Sequence, residues 1–455
     1  MTQSVDKLLP KLTNNRLMKT LALSLPLSFF IIPAAQGFTV SFTKIADTNT
    51  SIPGTNENFS SFGAGSAVLD DNTVAFIGSG NNSHGIYIST SSQLLEPVVD
   101  TNTVIPYQTN KFTGFGLGFL SQGYNVGALG LSGNKVVFNG YGQTGNGIYT
   151  GTASGVVTLI ANKTTQNPTN LSNFTTFSFS NPDIDQETVA FWGEDATVNR
   201  GLYRRTDSNS LSLIADNKTL VPSNNSKTFA GLFNPSLEGE TVAFNGFLES
   251  EEEKGGIYIG TSPTSLSVVV DTNTFIPKGV ENFTEFGAPA LDEQTVAFRG
   301  RGINAQEGIY LGTNSNFLSV VADTNTFIPN GIGNFINFGN PAFDENIVAF
   351  WGKGNQAQQG IYVGFNGLLY KIIDLNQSLD GKTLSSLDFA SNFFNTSNRG
   401  LSKNSLVFLA AFTDGSQGIY KASFQAEGVV EPSTQGGIAT AIIFVVLFKA
   451  RQQLS

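Results

Sequence analysis

A single histidine, His84, and no cysteine in 455 residues narrow the chemistry this chain can perform. One imidazole excludes most histidine-based acid–base catalysis and most zinc sites, and without thiols there are neither disulfides nor thiolate–metal centres. No Ser-His-Asp arrangement, phosphate loop or metal-ligand spacing is visible, so no catalytic set, cofactor site or metal site is assigned. Oxygen ligands and aromatic rings remain. Asp47, Asp100, Asp271 and Asp323 each open the tetrapeptide Asp-Thr-Asn-Thr. Carboxylate and amide oxygens suit a hard cation such as calcium. The same spacing lets each carboxylate close an Asx-turn on local backbone donors, and recurrence in every well-kept copy favours the turn. Trp192 and Trp351, the only tryptophans, each follow a Val-Ala-Phe triplet. They are the candidate ligand contacts, because an indole face stacks on a sugar ring. Packing between sheets is the competing use, since the slot adjoins a core position. Glu249, Glu251, Glu252 and Glu253 form an acidic run that reads as a solvated loop tip. His84, alone, is assigned nothing.

The elements that position these residues repeat. Gly-Ile-Tyr, once Gly-Leu-Tyr, begins at Gly85, Gly147, Gly201, Gly256, Gly308, Gly360 and Gly418. Val-Ala-Phe or a near variant precedes each one, beginning at Val74, Val136, Val189, Val242, Val296, Val348 and Leu406. Asp-Thr-Asn-Thr has degraded counterparts in register at Asn162, Asp216 and Asp374. In one unit, Pro289–Leu291 predicts a short apolar strand and Asp292–Gln294 a polar turn. Thr295–Arg299 alternates as a second strand, Gly300–Glu307 is a Gly-rich loop, and Gly308–Gly312 and Leu318–Ala322 are the third and fourth strands. A long connector, Asp323–Asn340, leads to the next unit.

Four short antiparallel strands repeated seven times predict an all-β, seven-bladed β-propeller over residues 38–425. Apolar side chains on both faces of Thr-Val-Ala-Phe agree with a sheet sandwiched between two others. A β-helix is excluded by the unit length, which is too long for one coil. A fourth-type strand, Phe42–Ala46, precedes all others, and the last unit lacks one. The N-terminal strand therefore completes the last blade and removes its open edge. The second-to-third and fourth-to-first connections are the long ones and share one face, which is the candidate binding face.

The bulk numbers fit an exported scaffold. Charged residues make up 13%, Gly numbers 49 and Phe 38, which suits short strands and tight turns. The formal net charge of −10, with nothing basic clustered in the body of the chain, argues against nucleic acid as a partner. Residues 1–37 read as a signal peptide: Lys7, Lys11, Arg16 and Lys19, an apolar run from Leu21 to Ile32, then small residues to Gly37. Residues 426–455 read as a linker and tail. Glu431-Pro432-Ser433-Thr434, an apolar run from Gly436 to Phe448, and Lys449 and Arg451 follow in order.

That order resembles the PEP-CTERM sorting tail, with Val430 in place of its first proline. The resemblance implies processing by an exosortase-type enzyme and a location at the cell envelope, on the outer surface or outside the cell. The repeat signatures resemble secreted propeller proteins of cyanobacterial type, a likeness that carries no activity with it. The expected function is an exported, surface-associated, non-catalytic binding or extracellular-matrix protein, associated with polysaccharide. The alternative is an exported polysaccharide hydrolase or lyase on the same scaffold. A non-repeated group of carboxylates around one pocket would favour the enzyme.

Overall fold

The computed structural model describes residues 38–90, 94–116, 129–177, 179–206, 210–222, 224–248, 251–356, 358–389 and 399–426. Residues 1–37, expected to be a signal peptide, the tail with Glu431 and Pro432, and the acidic side chains at 249–253 lie outside what is described. The compact body is Phe38–Ala426. Among the described residues there is no helix.

The body is a seven-bladed β-propeller. Each blade is an antiparallel sheet in sequence order from an inner to an outer strand. In blade 5 the second strand is Thr295–Gly302, the third Glu307–Gly312 and the outer one Leu318–Asp323. Blade 7 takes its outer strand from the N-terminal end of the body. Phe38–Asp47 pairs antiparallel with Gln417–Ala426, from Phe38↔Ala426 to Asp47↔Gly418. The expected closure is present. Around the centre, the lower inner strands of successive blades touch one another in an unbroken ring, from Val68–Asp70 through Ala290–Asp292 and Ala342–Asp344 to Leu401–Ser402 and back.

Two boundaries differ from the sequence reading. The inner strand is split: Phe283–Phe286 and Ala290–Asp292 both pair with Thr295–Gly302. Part of what reads as a connector is thus strand. In the next repeat the stretch Asp323–Asn340 includes Phe335–Phe338, and the remaining loop is closed by a bridge from Phe327 to Asn334. The Gly-rich loop is likewise shorter, because Arg301 and Glu307 form a ladder pair above Gly300↔Gly308.

That glycine pair explains the hidden half-strand. Phe283 lies over it, and a Cβ on Gly300 would sit 2.4 Å from the Phe283 ring. Phe335 covers Gly352 in the same way, at 2.6 Å. Only in blade 7 does Leu384 take the phenylalanine's place, with Phe412 as its ladder partner two residues beyond Ala410. There alanine stands where the other six blades have glycine. The smaller cover tolerates the extra methyl, as close packing requires. The first glycine of Gly-Ile-Tyr has another cause. The outer strand bulges between Val320 and Ala322, and its carbonyl would lie 2.6 Å from a Cβ on Gly308.

The core consists of layers between blades. Ala290, Ala297, Ile309 and Ala322 of blade 5 pack on Phe335, Phe338, Val348, Phe350 and Tyr362 of blade 6. The small residue at the centre of Val-Ala-Phe lets the next sheet approach. In blades 1 to 6 the Tyr of the triplet packs edge-on to the inner phenylalanine, as Tyr310 does on Phe283 at 5.0 Å, and in blade 7 Tyr420 meets Phe412 edge-on instead. Its structural use follows from that contact.

Candidate functional site

Strand alternation puts Ala297, Arg299 and Arg301 on one face of their strand. The position after Val-Ala-Phe varies between blades: Ile77, Asn139, Trp192, Asn245, Arg299, Trp351 and Leu409. It sits at the upper end of the constant core, where the second strand approaches the long-loop face. Chemistry can change there without disturbing the layer of alanines beneath.

The two tryptophans part company. Trp192 is only 2% exposed and belongs to the layer with Val221, Phe229 and Leu232 of blade 4. Phe179 closes over it, ring centroids 4.9 Å apart. Trp351 is half-buried. In blade 6 only Gly339 stands between Phe338 and Asn340, whereas blade 3 has a longer kink that supplies Phe179. Among the described residues Trp351 therefore has no lid of that kind, and it lines an open cavity of ≈ 480 Å³ with Glu285, Arg299, Arg301, Asn337, Phe338, Gly339 and Leu387. The cavity lies on the long-loop face where blades 5, 6 and 7 meet.

Its polar wall is a built ion-pair network. Arg299 bonds Glu285 through Nη2 at 3.0 Å and approaches Glu307 through Nε at 3.3 Å. Glu307 is 3% exposed and accepts the backbone N–H of Phe338 at 3.0 Å. Burial pushes its carboxyl above the usual range; Arg299 and the Phe338 N–H pull the other way. Arg301 stands farther out, 45% exposed, with Nη1 3.8 Å from Glu285. Composition gave no hint of this cluster; the ladder pair Arg301↔Glu307, read as loop in the sequence, is what assembles it.

The remaining candidates have structural uses. Asp323 Oδ1 accepts from Asn325 N and Thr326 Oγ1, both at 2.9 Å, and Thr326 Oγ1 accepts from Asp323 N. Asp47, Asp100 and Asp271 form the same closed turn. His84 Nδ1 lies 3.0 Å from Ser79 Oγ, its ring packs against Phe115, and burial lowers its pKa.

The central channel is blocked. Arg399 of blade 7 reaches across to Asp183 of blade 3, with Nε–Oδ1 at 3.1 Å and Nη2–Oδ2 at 3.4 Å, and donates to Leu237 O at 2.6 Å. The cavity beside it, lined by Asp70, Glu238, Asp292 and Asp344 among others, holds ≈ 40 Å³. That is room for a few waters and not for a sugar.

A family model matches residues 121–435, well over half of the chain. The chain belongs to DUF7453, a family of unknown function. No curated protein matches it. Among solved structures, this DUF7453 chain is similar to a prolyl endopeptidase, with 11% identity, TM-score 0.44, and coverage of 78% of this chain and 45% of that one. It thus spans under half of the peptidase. It is also similar to an uncharacterised protein of Listeria monocytogenes, with 10% identity, TM-score 0.39, and coverage of 78% and 92%. A third is a mutant of AofleA from Arthrobotrys oligospora, with 9% identity, TM-score 0.32, and coverage of 74% and 90%.

Proposed function

We propose that this DUF7453 member is an exported, surface-associated propeller that binds polysaccharide without transforming it, through the cavity around Trp351. One observation carries the reading. The repeat's variable position places an indole with no aromatic lid among the described residues at a cavity of ligand size, walled by planar polar groups, on the face where the long loops gather. The leader and the tail supply the export and surface parts of the proposal, with an exosortase-type enzyme as the processing partner.

Glu285 and Glu307 are the non-repeated carboxylates that a hydrolase or lyase would need. Their environment favours binding. Glu307 is buried and committed to Phe338 N and Arg299, and it does not line the cavity. Glu285 lines it with both oxygens turned to arginines. A general acid needs a carboxyl free to reach the leaving oxygen, and here the carboxylates hold guanidinium groups in place instead.

The test is a glycan array with residues 38–426 and the Trp351→Ala variant. Signal on at least one polysaccharide class should fall about tenfold or more in the variant, the usual cost of losing a central aromatic contact. An array blank for the unmodified body, or release of reducing ends from any bound polymer, contradicts the proposal. The tail has its own test. Removing residues 431–455 should leave the melting temperature unchanged and move the protein from the envelope to the medium; unchanged fractionation in the native host contradicts the sorting role.

A further inference from the structure

We infer that the sugar this cavity selects is anionic: a carboxylate-bearing pyranose of an acidic polysaccharide, held with its carboxylate on Arg301 and its ring against Trp351. The inference rests on the binding reading above and specifies its ligand. The first observation is asymmetry. At the position after Val-Ala-Phe and the one two residues on, which share a strand face, blade 5 has Arg299 and Arg301, and blade 6 has Trp351 and Lys353. The other blades have Ile77 and Ser79, Asn139 and Tyr141, Trp192 and Glu194, Asn245 and Phe247, and Leu409 and Ala411. None of these is cationic. A chain of net charge −10 thus gathers three cations on adjacent strands, and two of them, Arg299 and Arg301, line this cavity.

The second observation is how the two arginines are used. Arg299 is held inward between Glu285 and Glu307. Arg301 is half in solvent, and its guanidinium makes no hydrogen bond among the described residues; Glu285 Oε2 faces it at 3.8 Å, while Oε1 of the same carboxylate bonds Arg299. A guanidinium fork with open donors matches a carboxylate in two-point geometry, which a neutral hydroxyl cannot reproduce. Lys353 is exposed, with no ionic partner among the described residues, and adds attraction without geometry. Trp351 offers the apolar C–H face of the sugar a flat surface at the same cavity. Glu285, beside Arg301, disfavours a ligand of diffuse high charge and favours one carboxylate placed on the fork.

The experiment is affinity electrophoresis of the 38–426 body in gels containing polygalacturonate, dextran sulfate or neutral dextran. Polygalacturonate should retard the body and neutral dextran should not. Arg301→Gln and Trp351→Ala should each weaken retardation by about tenfold, the factor that corresponds to ~1.4 kcal/mol. Lys353→Gln should weaken it less, and Trp192→Phe not at all. Melting curves confirm that each variant is folded. Equal retardation by neutral dextran, lost in Trp351→Ala, keeps the binding function and overturns the anionic class. Stronger retardation by dextran sulfate, indifferent to Arg301→Gln, shows diffuse polyanion attraction and overturns it too. No retardation in polygalacturonate overturns the inference, while array signal on other glycans leaves the function standing.

Discussion

Deletion of residues 38–47 should leave no cooperative thermal transition in the ring. The lost strand is the whole outer edge of blade 7, paired with the third strand from Phe38↔Ala426 to Asp47↔Gly418. It carries apolar contacts as well. Phe38 stacks on Tyr370 with centroids 4.3 Å apart, Phe42 meets Phe408 edge-on at 6.2 Å, and Ala46 is buried between blades 7 and 1. Phe38, Val40 and Phe42 are partly buried and Ala46 is buried, which together represents on the order of 3–5 kcal/mol when the ~1.5–3 kcal/mol of a fully buried large side chain is discounted for their exposure. That approaches the lower end of the ~5–15 kcal/mol by which a domain is stable. The exposed ladder of Gln417–Ala426 would also invite pairing with another chain. Circular dichroism melting and size-exclusion chromatography read both effects. A monomer with an unchanged melting temperature contradicts closure by this strand.

Arg399→Met should be the most damaging single substitution in the channel. Asp183 would keep Ile184 N and Leu237 N as donors but lose its counter-charge, with its side chain 4% exposed. Breaking a buried pair by removing one partner costs about 3–5 kcal/mol. Arg399 is 24% exposed, so solvent screening sets the expectation near ~3 kcal/mol. Adding Asp183→Asn removes the stranded charge and should restore more than half of the loss, which a double-mutant cycle in urea measures directly. If Arg399→Met melts as the unmodified body does, the cross-channel pair is not a brace.

Most of the architecture was legible because a propeller writes its geometry seven times. Val-Ala-Phe fixed the alternation of faces, the spacing of Gly-Ile-Tyr fixed seven blades, and the unmatched strand before Asp47 fixed the closure. The split inner strand was not legible. Phe283 and Phe335 sit six residues or more from the apolar Ala290–Leu291 and Ala342–Phe343, behind stretches that read as loop, and the glycines they cover carry no side chain to announce the contact. The internal signal was there: Leu384 and Ala410 deviate together in blade 7. At the site, the shared position of Trp192 and Trp351 was readable, but their difference was not. It depends on the length of a kink one strand away, which supplies Phe179 in blade 3 and a bare Gly339 in blade 6. Arg399 and Asp183 are 216 residues apart, and nothing local in either stretch marks the partner.

Because the chain has only two tryptophans, Trp192→Phe makes Trp351 the sole indole and its emission a direct report on the cavity. In that variant acrylamide should quench readily, since Trp351 is half-buried beside an open cavity, whereas in Trp351→Phe the buried Trp192 should be quenched poorly. Oligogalacturonate added to Trp192→Phe should shift the emission and protect the indole from acrylamide in a saturable way, and the same titration of Trp351→Phe should change nothing. Emission and quenching of Trp351 unaltered by a saccharide that the body binds would contradict the assignment of this cavity as the binding site.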